Sequence, residues 1–375
     1  MSFRHRMVAA IAATGTAATT ALLVAPSALA MPAAHHAYIN HFHHLTTIAS
    51  TVPRNGDVNP YGIFVVRQST GHLHRGDVLV SNFNNGKNQQ GTGTTIVQIS
   101  PHGHFSLFAR IRARSLPGRC PGGVGLTTAL EVLRDGWVVV GSTPSRNGSA
   151  STAKAGCLIV LNSRGRVVET ISGHGINGPW DSTMFQRGRV ADLFVTNVLN
   201  GTVAGNGKVV RRGTVLRLAL LLRGHRPPRL LASTRIGSGF PQQTNDAAFV
   251  LGPTGIGLGR HDILYVADTQ NTTMTAISHA LTRRFSAGTG RLVTTGGALN
   301  MPLGMAIAPN GNILTVNGGD GRIVETTPRG RQIAMKFLDT SGSPPGAGAL
   351  FGLAIRPGGG VYYVDDAVNT LRLLH

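Results

Sequence analysis

Pro302-Leu303-Gly304-Met305-Ala306-Ile307-Ala308 runs into Pro309-Asn310-Gly311-Asn312 and then into Ile313-Leu314-Thr315-Val316-Asn317. The segment reads as strand, turn, strand. Two apolar runs flank a turn whose glycine tolerates positive φ. The pattern returns at Gly352-Leu353-Ala354-Ile355, with the turn Pro357-Gly358-Gly359-Gly360 and the strand Val361-Tyr362-Tyr363-Val364-Asp365. It returns again at Pro60-Tyr61-Gly62-Ile63-Phe64-Val65-Val66, which a longer polar loop joins to Asp77-Val78-Leu79-Val80-Ser81-Asn82. A second hairpin completes each unit. Arg322-Ile323-Val324-Glu325, for example, passes through Pro328-Arg329-Gly330-Arg331 into Gln332-Ile333-Ala334-Met335. The unit is therefore four antiparallel strands. Gly304 and Gly352 lie about 48 residues apart, which is the length of one propeller blade, ~40–50 residues.

Six units begin near Pro60, Gly125, Pro179, Pro253, Pro302 and Leu350. The fold class that follows is all-β: a six-bladed β-propeller of four-stranded antiparallel blades. Residues 199–213, 223–228 and 283–290 are polar or Arg-rich insertions and are expected to be surface loops. The last unit ends one strand short. Residues 45–52, Leu-Thr-Thr-Ile-Ala-Ser-Thr-Val, have strand composition and no other partner. They are expected to complete the last blade and close the ring, which removes two exposed sheet edges.

The first residues set the expected compartment. Arg4, His5 and Arg6 precede an uncharged Ala/Val/Leu/Thr-rich stretch and the small-x-small site Ala28-Leu29-Ala30. That order predicts a signal peptide over 1–30 and a secreted or periplasmic protein, with no membrane-spanning segment after cleavage. Residues 31–44 are expected to be a flexible leader, and 45–375 a single propeller domain. The leader's His35, His36, His41, His43 and His44 fit no fixed ligand spacing, although such a cluster can bind a transition metal. Cys120 and Cys157 are the 2 cysteines of the chain. In an oxidising compartment they are expected to pair, which adds about 3 kcal/mol by restricting the unfolded chain.

Lys+Arg number 35 against 15 Asp+Glu, a formal charge of +20. An anionic partner would explain that excess: lipid head groups, a cell-envelope polymer or nucleic acid. A compositional bias, or life in acid, would explain it too. The arginines sit scattered in turns, such as Arg164 and Arg166, Arg283 and Arg284, or Arg329 and Arg331. Few aromatics lie between them for base stacking, so nucleic acid is not expected.

The sequence Pro-x-Gly-Met-Ala, then Asn-Gly-Asn, then a strand ending in Asn or Asp resembles NHL repeats. Ile263-Leu264-Tyr265-Val266-Ala267-Asp268 with Asn271 resembles them as well. The resemblance covers most of residues 45–375 and extends to SMP-30-like propellers, here as an exported, bacterial-type member. It implies a fold more firmly than an activity, because such propellers include lactonases, streptogramin-lyase-like enzymes and pure binding modules.

In a propeller the innermost strands line a channel, and a ligand is expected where the chain enters those strands. Asn59, Asn177, Trp180, Asn245 and Asn300 stand at such places. Asn59, Asp181, Asp246 and Asn300 are candidate oxygen ligands for Ca²⁺ or Mg²⁺. Asp181 and Asp246 are the candidate catalytic bases. The alternative for each is a turn-bracing role. Asn82, Asn197, Asp268, Asn317 and Asp365 recur at second-strand ends and are read as structural. SMP-30-like lactonases hold their metal with one Glu, two Asn and one Asp, the Glu opening the first blade. Here that place reads Asn59-Pro60-Tyr61-Gly62. The departure favours a non-catalytic, monomeric propeller that binds a small molecule, a protein or an anionic envelope polymer across its channel face. A metal-dependent hydrolase or lyase is the alternative.

Overall fold

The computed structural model describes residues 37–375, and the expected signal peptide and the leader up to residue 36 lie outside the described residues. Six antiparallel sheets surround a channel, and neighbouring innermost strands contact one another around the whole ring. Blade 1 runs outward as Val58–Val65, Val78–Asn84, Thr95–Ile99 and Phe105–Arg110. Blade 2 is Leu126–Val132, Val138–Ser142, Cys157–Leu161 and Val167–Ile171. Blade 3 is Pro179–Arg187, Val190–Asn197, Val210–Arg223 and Arg226–Asn245, with a fifth short strand, Phe249–Leu251. Blade 4 is Pro253–Leu258, Leu264–Asp268, Thr273–Ile277 and Arg291–Thr295. Blade 5 is Pro302–Ile307, Ile313–Asn317, Arg322–Thr326 and Gln332–Phe337.

Blade 6 is closed by the N-terminal segment. Leu350–Ile355, Val361–Asp365 and Thr370–Leu374 are followed outward by Leu45–Ser50, which pairs antiparallel with Thr370–Leu374. The ring is thus sealed by hydrogen bonds between its two chain ends. Second and third strands are buried along their length, whereas outermost strands such as Gln332–Phe337 are half exposed. The core accordingly lies between blades, where apolar faces of adjacent sheets meet.

Two stretches depart from the expected loops. Residues 223–228 are the tip of a long hairpin, with Arg223 opposite Arg226. Gly224, at φ +64°, makes this tight two-residue connection feasible. The end of 199–213 likewise joins the third strand of blade 3 from Val210 onward. Residues 37–44, counted with the flexible leader, are tied down. Tyr38–His41 form a short 3-10 turn whose Ile39 is fully buried, and Lys336 Nζ donates to the Phe42 carbonyl at 2.6 Å.

Every innermost strand carries an irregularity near its start. Register slips between Pro60 and Ile63, Pro179 and Ser182, Pro253 and Ile256, Pro302 and Met305, and Leu350 and Leu353. Each is one residue longer than its partner. Blade 2 slips further, between Leu126 and Leu130, which face Ser142 and Val140. Such bulges re-aim side chains. Four of the blades place a glycine inside the slip, where a Cβ would strike the neighbouring strand's backbone. At Gly255 it would meet the Leu303 carbonyl, and at Gly304 the Phe351 carbonyl.

Candidate functional site

The two ends of the channel differ. At the end where the chain enters the innermost strands, Tyr61, Phe83, Trp180, Phe249 and Phe351 fill the axis. Tyr61 stacks on Phe351 at 4.1 Å and on Phe83 at 4.5 Å, and Trp180 meets Phe83 edge-on at 5.5 Å. The fifth strand of blade 3 inserts Phe249, whose φ of 63° is costly for an aromatic residue. Dense packing on every side holds it there.

The sequence-predicted asparagines sit around this plug; Asn177 and Asn245 bond to nearby turns, whereas the buried Asn59 Oδ1 has no hydrogen-bond partner among the described residues. The Asn59 backbone N–H donates to Asn369 Oδ1 at 2.7 Å. Asn177 receives nothing from the axis: its N–H donates to Asn197 Oδ1 at 3.0 Å and its Nδ2 to the Leu199 carbonyl at 3.1 Å. Asn245 Oδ1 accepts from the N–H groups of Ala247 and Ala248. Asp246 is exposed, and its carbonyl accepts from Gln90 Nε2. Asn300 lies against the Gly318-Gly319 turn. Trp180 is part of the plug. The oxygen set read from the repeat is therefore not brought together: Asp246 is exposed on its own loop, and Asp181 is turned to the open cavity rather than to Asn59 and Asn300. Among the described residues no three His, Cys, Asp or Glu side chains are grouped as metal ligands. The residues present do not fit that four-ligand site.

Cys120 and Cys157 form a disulfide that ties the loop before blade 2 to the third strand of that blade.

The opposite end of the channel is open. A cavity of about 620 Å³ runs inward from the turns that follow the innermost strands. Ile63, Leu130, Ile256, Met305 and Leu353, from five of the blades, give it apolar walls, with the hydroxyls of Thr128, Ser182 and Thr183 among them. Two carboxyl groups interrupt them. Asp181 stands on the innermost strand of blade 3, at the place where four other blades have glycine. Ser182 N–H donates to its Oδ1 at 2.8 Å, and Ile256 N–H of blade 4 to its Oδ2 at 3.2 Å. Glu131 stands on the innermost strand of blade 2, opposite Val139. The equivalent position holds Phe64 in blade 1, Gly257 in blade 4, Ala306 in blade 5 and Ala354 in blade 6. Both carboxyl-bearing residues are over nine-tenths buried.

Burial pushes both groups toward the protonated form. Desolvation, and after it the Asp181 charge, raise Glu131 to about 8, with the Arg67 guanidinium opposing the shift. Desolvation raises Asp181 to about 7 against the two backbone N–H groups that favour its anion. Protons on such neighbours belong to the pair. Near neutrality it holds one acid and one base. No other described residue donates a hydrogen bond to Glu131. Arg67, His261 and Asp262 stand at the rim. His261 and Asp262 have φ of 57° and 60°, consecutive left-handed residues that Leu281 N–H secures by donating to Asp262 Oδ1 at 2.6 Å.

Sequence reasoning named Asp181 and missed Glu131. Asp181 stands where the repeat has glycine, a place visible in the sequence, whereas the place of Glu131 is defined only by the strand register.

No family model matches the sequence, and no curated protein is similar to it. Solved structures do match in shape. A gluconolactonase of Xanthomonas campestris is 12% identical, with a TM-score of 0.54 over 88% of each chain. A Thermus thermophilus protein named as an oxidoreductase of glucose dehydrogenase type is 13% identical, with a TM-score of 0.53 over 88% of this chain and 99% of that one. A luciferin-regenerating enzyme is 11% identical, with a TM-score of 0.51 over 88% and 95%. These neighbours are propeller enzymes of the SMP-30/gluconolactonase kind, and at such identities the likeness is one of fold.

Proposed function

We propose that the protein is an enzyme that uses Glu131 and Asp181 as an acid–base pair on a small molecule held in the open channel. The observation that carries this is two buried, electrostatically coupled carboxyl groups lining one cavity, among apolar side chains and a few polar ones. The cavity volume suits a small ligand, typically ~300–1,000 Å³. A buried carboxyl without donors, as at Glu131, costs stability, so its retention in a cavity supports a chemical role. Glu131 in its acid form donates a proton to a leaving oxygen, while Asp181, held by two N–H groups, withdraws one from water or from carbon. This is hydrolase or lyase chemistry on a substrate with an apolar body and an ester, lactone or ether oxygen. The fold shared with lactonases and other propeller enzymes supports the class. The scaffold reading favoured from sequence has no such observation behind it. Export is part of the proposal: the signal-like residues 1–30 and the disulfide both fit an oxidising compartment.

The test is turnover of a panel of lactones and aryl esters by the purified protein and by Glu131→Gln and Asp181→Asn. Each variant is expected to lose about 10²–10⁴-fold in kcat, and kcat of the parent to be bell-shaped in pH. Turnover that survives Glu131→Gln unchanged would sink the assignment.

A further inference from the structure

The arginines that look scattered in the sequence gather on one face. Strand direction alternates across a blade. The turn after the innermost strand and the turn between the third and fourth strands therefore lie on the same side. The first kind rings the open mouth, since Arg67, His261, Asp262 and Pro357 line the cavity. On this face the turns at 162–166, 187–190, 223–226, 278–290 and 327–331 each carry two arginines and no acidic residue. The acids there are Asp77, Asp135 and Asp262. Two of them are engaged: Asp77 lies 3.5 Å from His74, and Asp262 accepts from Leu281 N–H. The turns of the plugged face balance Arg54, Lys87, Arg112, Arg114, Arg119, Arg146, Lys154 and Lys208 against Asp57, Asp246, Asp320, Asp339 and Asp366, a much smaller excess. The charge excess is thus directed to the side on which the channel opens.

An aromatic group stands among those cations. Phe285 is 81% exposed, more than any other large hydrophobic side chain described. It follows Arg283 and Arg284 directly. Its turn is fixed at both ends: Arg283 Nε donates to the Ser278 carbonyl at 2.9 Å on one side, and Ala287 N–H donates to the Ile236 carbonyl at 2.9 Å on the other. Phe185 on the lip of the mouth is 40% exposed.

We infer that the open face docks on an anionic lipid surface, with Phe285 at the head-group boundary and the arginine turns on the phosphates. Cations spread over the turns of several blades match a charged sheet, and an exposed aromatic beside two arginines matches the wet and apolar layers of its boundary. A soluble polyanion would engage the arginines and leave Phe285 without a role. Docking this way turns the apolar channel toward the lipid, so an apolar-bodied substrate passes from the bilayer into the cavity without crossing water. The surface goes beyond the acid–base reading and does not depend on it.

The test is flotation of the purified protein with vesicles of phosphatidylglycerol in phosphatidylcholine, against pure phosphatidylcholine. Binding to the anionic vesicles alone is expected, weakening as salt screens the arginines. Arg283→Ser with Arg284→Ser is expected to weaken it at least about tenfold, from roughly fivefold for each cation removed. Phe285→Ser, which touches no buried contact, is expected to weaken it severalfold. Arg112→Ser with Arg114→Ser on the plugged face, and Glu131→Gln in the channel, are expected to bind as the parent does, which separates this surface from the chemistry. Three results would overturn the inference. One is no flotation with anionic vesicles. Another is equal loss from the Arg112/Arg114 variant. The third is Phe285→Ser binding like the parent, which would point to a soluble polyanion.

Discussion

Glu325 in blade 5 and Glu131 in the channel are both buried, and their surroundings are opposite. Glu325 is fully enclosed and accepts four hydrogen bonds: from the N–H groups of Tyr38 and Ile39, both at 2.9 Å, and from the side-chain amides of Asn310 and Asn312 at 3.0 and 2.6 Å. Those contacts pin residues 37–44 to blade 5. Glu131 accepts no hydrogen bond from another described residue and faces a cavity. The fold surrounds a buried charge with donors where it needs that charge for cohesion. Where it leaves a buried carboxyl without donors, something other than cohesion keeps it. The two channel ends repeat the lesson. One is packed with aromatic rings to exclude everything, and the other keeps a polar pair over an apolar wall.

The largest effect should separate the two glutamates. Glu325→Ala orphans four donors, each bond to a charged acceptor being worth roughly 1.5–3 kcal/mol. A loss of at least about 4 kcal/mol in urea unfolding is expected, with fraying of residues 37–44 in hydrogen exchange. Glu131→Gln should lose nothing in the same assay at pH 5. Comparable losses would erase the distinction. Next in size is the plug. Trp180→Ala is expected to cost about 3–5 kcal/mol and to open a second mouth, seen as faster solvent quenching of the remaining Trp137 only if the plug rearranges. An unfolding midpoint within about 1 kcal/mol of the parent would show that the rings do not seal this end. Reduction of the disulfide between Cys120 and Cys157 should then lower stability by about 3–4 kcal/mol by freeing the unfolded chain. A smaller loss under about 1 kcal/mol would leave that link without a stabilising role.

The fold was readable because each blade repeats the same local choices: apolar runs, a Gly-containing turn, and a Pro or Leu where the innermost strand begins. Ring closure was readable because 45–52 had strand composition and blade 6 ended one strand short. Asp181 could be singled out because it is one of the Asn and Asp residues that recur where the chain enters the innermost strands, although in Pro179-Trp180-Asp181 it also takes the place of Gly62 and Gly304. Glu131 could not. Which side of a strand faces the channel follows a period of two, and a single added residue inverts it. Blade 2 slips by one residue more than its fellows between Leu126 and Leu130. Counting along the sequence therefore loses the direction of Glu131 just before reaching it. The plug was hidden for a different reason. Tyr61, Phe83, Trp180, Phe249 and Phe351 come from different blades and converge only in three dimensions. Asn59, Asn177, Asn245 and Asn300 mark that same end, and the side chains of Asn177 and Asn245 brace turns there.

The pH dependence of stability gives the finest test of the comparison. Glu131 has a folded pKa of about 8 against an ordinary value of 4.5. Between those values the folded protein keeps a proton that the unfolded chain has released. Stability then falls as pH rises, because the native state binds more protons. The loss is absent below about pH 4.5 and nearly complete above about pH 8. Asp181, Asp268 and Asp366 are each raised to about 7 by burial and add to the same slope. The histidines and the net positive charge act across this range as well, so the parent curve alone cannot isolate Glu131. The difference between Glu131→Gln and the parent does, since glutamine carries no charge in either state and the remaining groups are common to both. The two proteins should unfold together near pH 5, and the variant should be more stable by roughly 1–3 kcal/mol at pH 8. A difference that stays flat with pH would mean that Glu131 is solvated through the open mouth. The contrast with Glu325 would then rest on hydrogen bonds alone, without a stored desolvation cost.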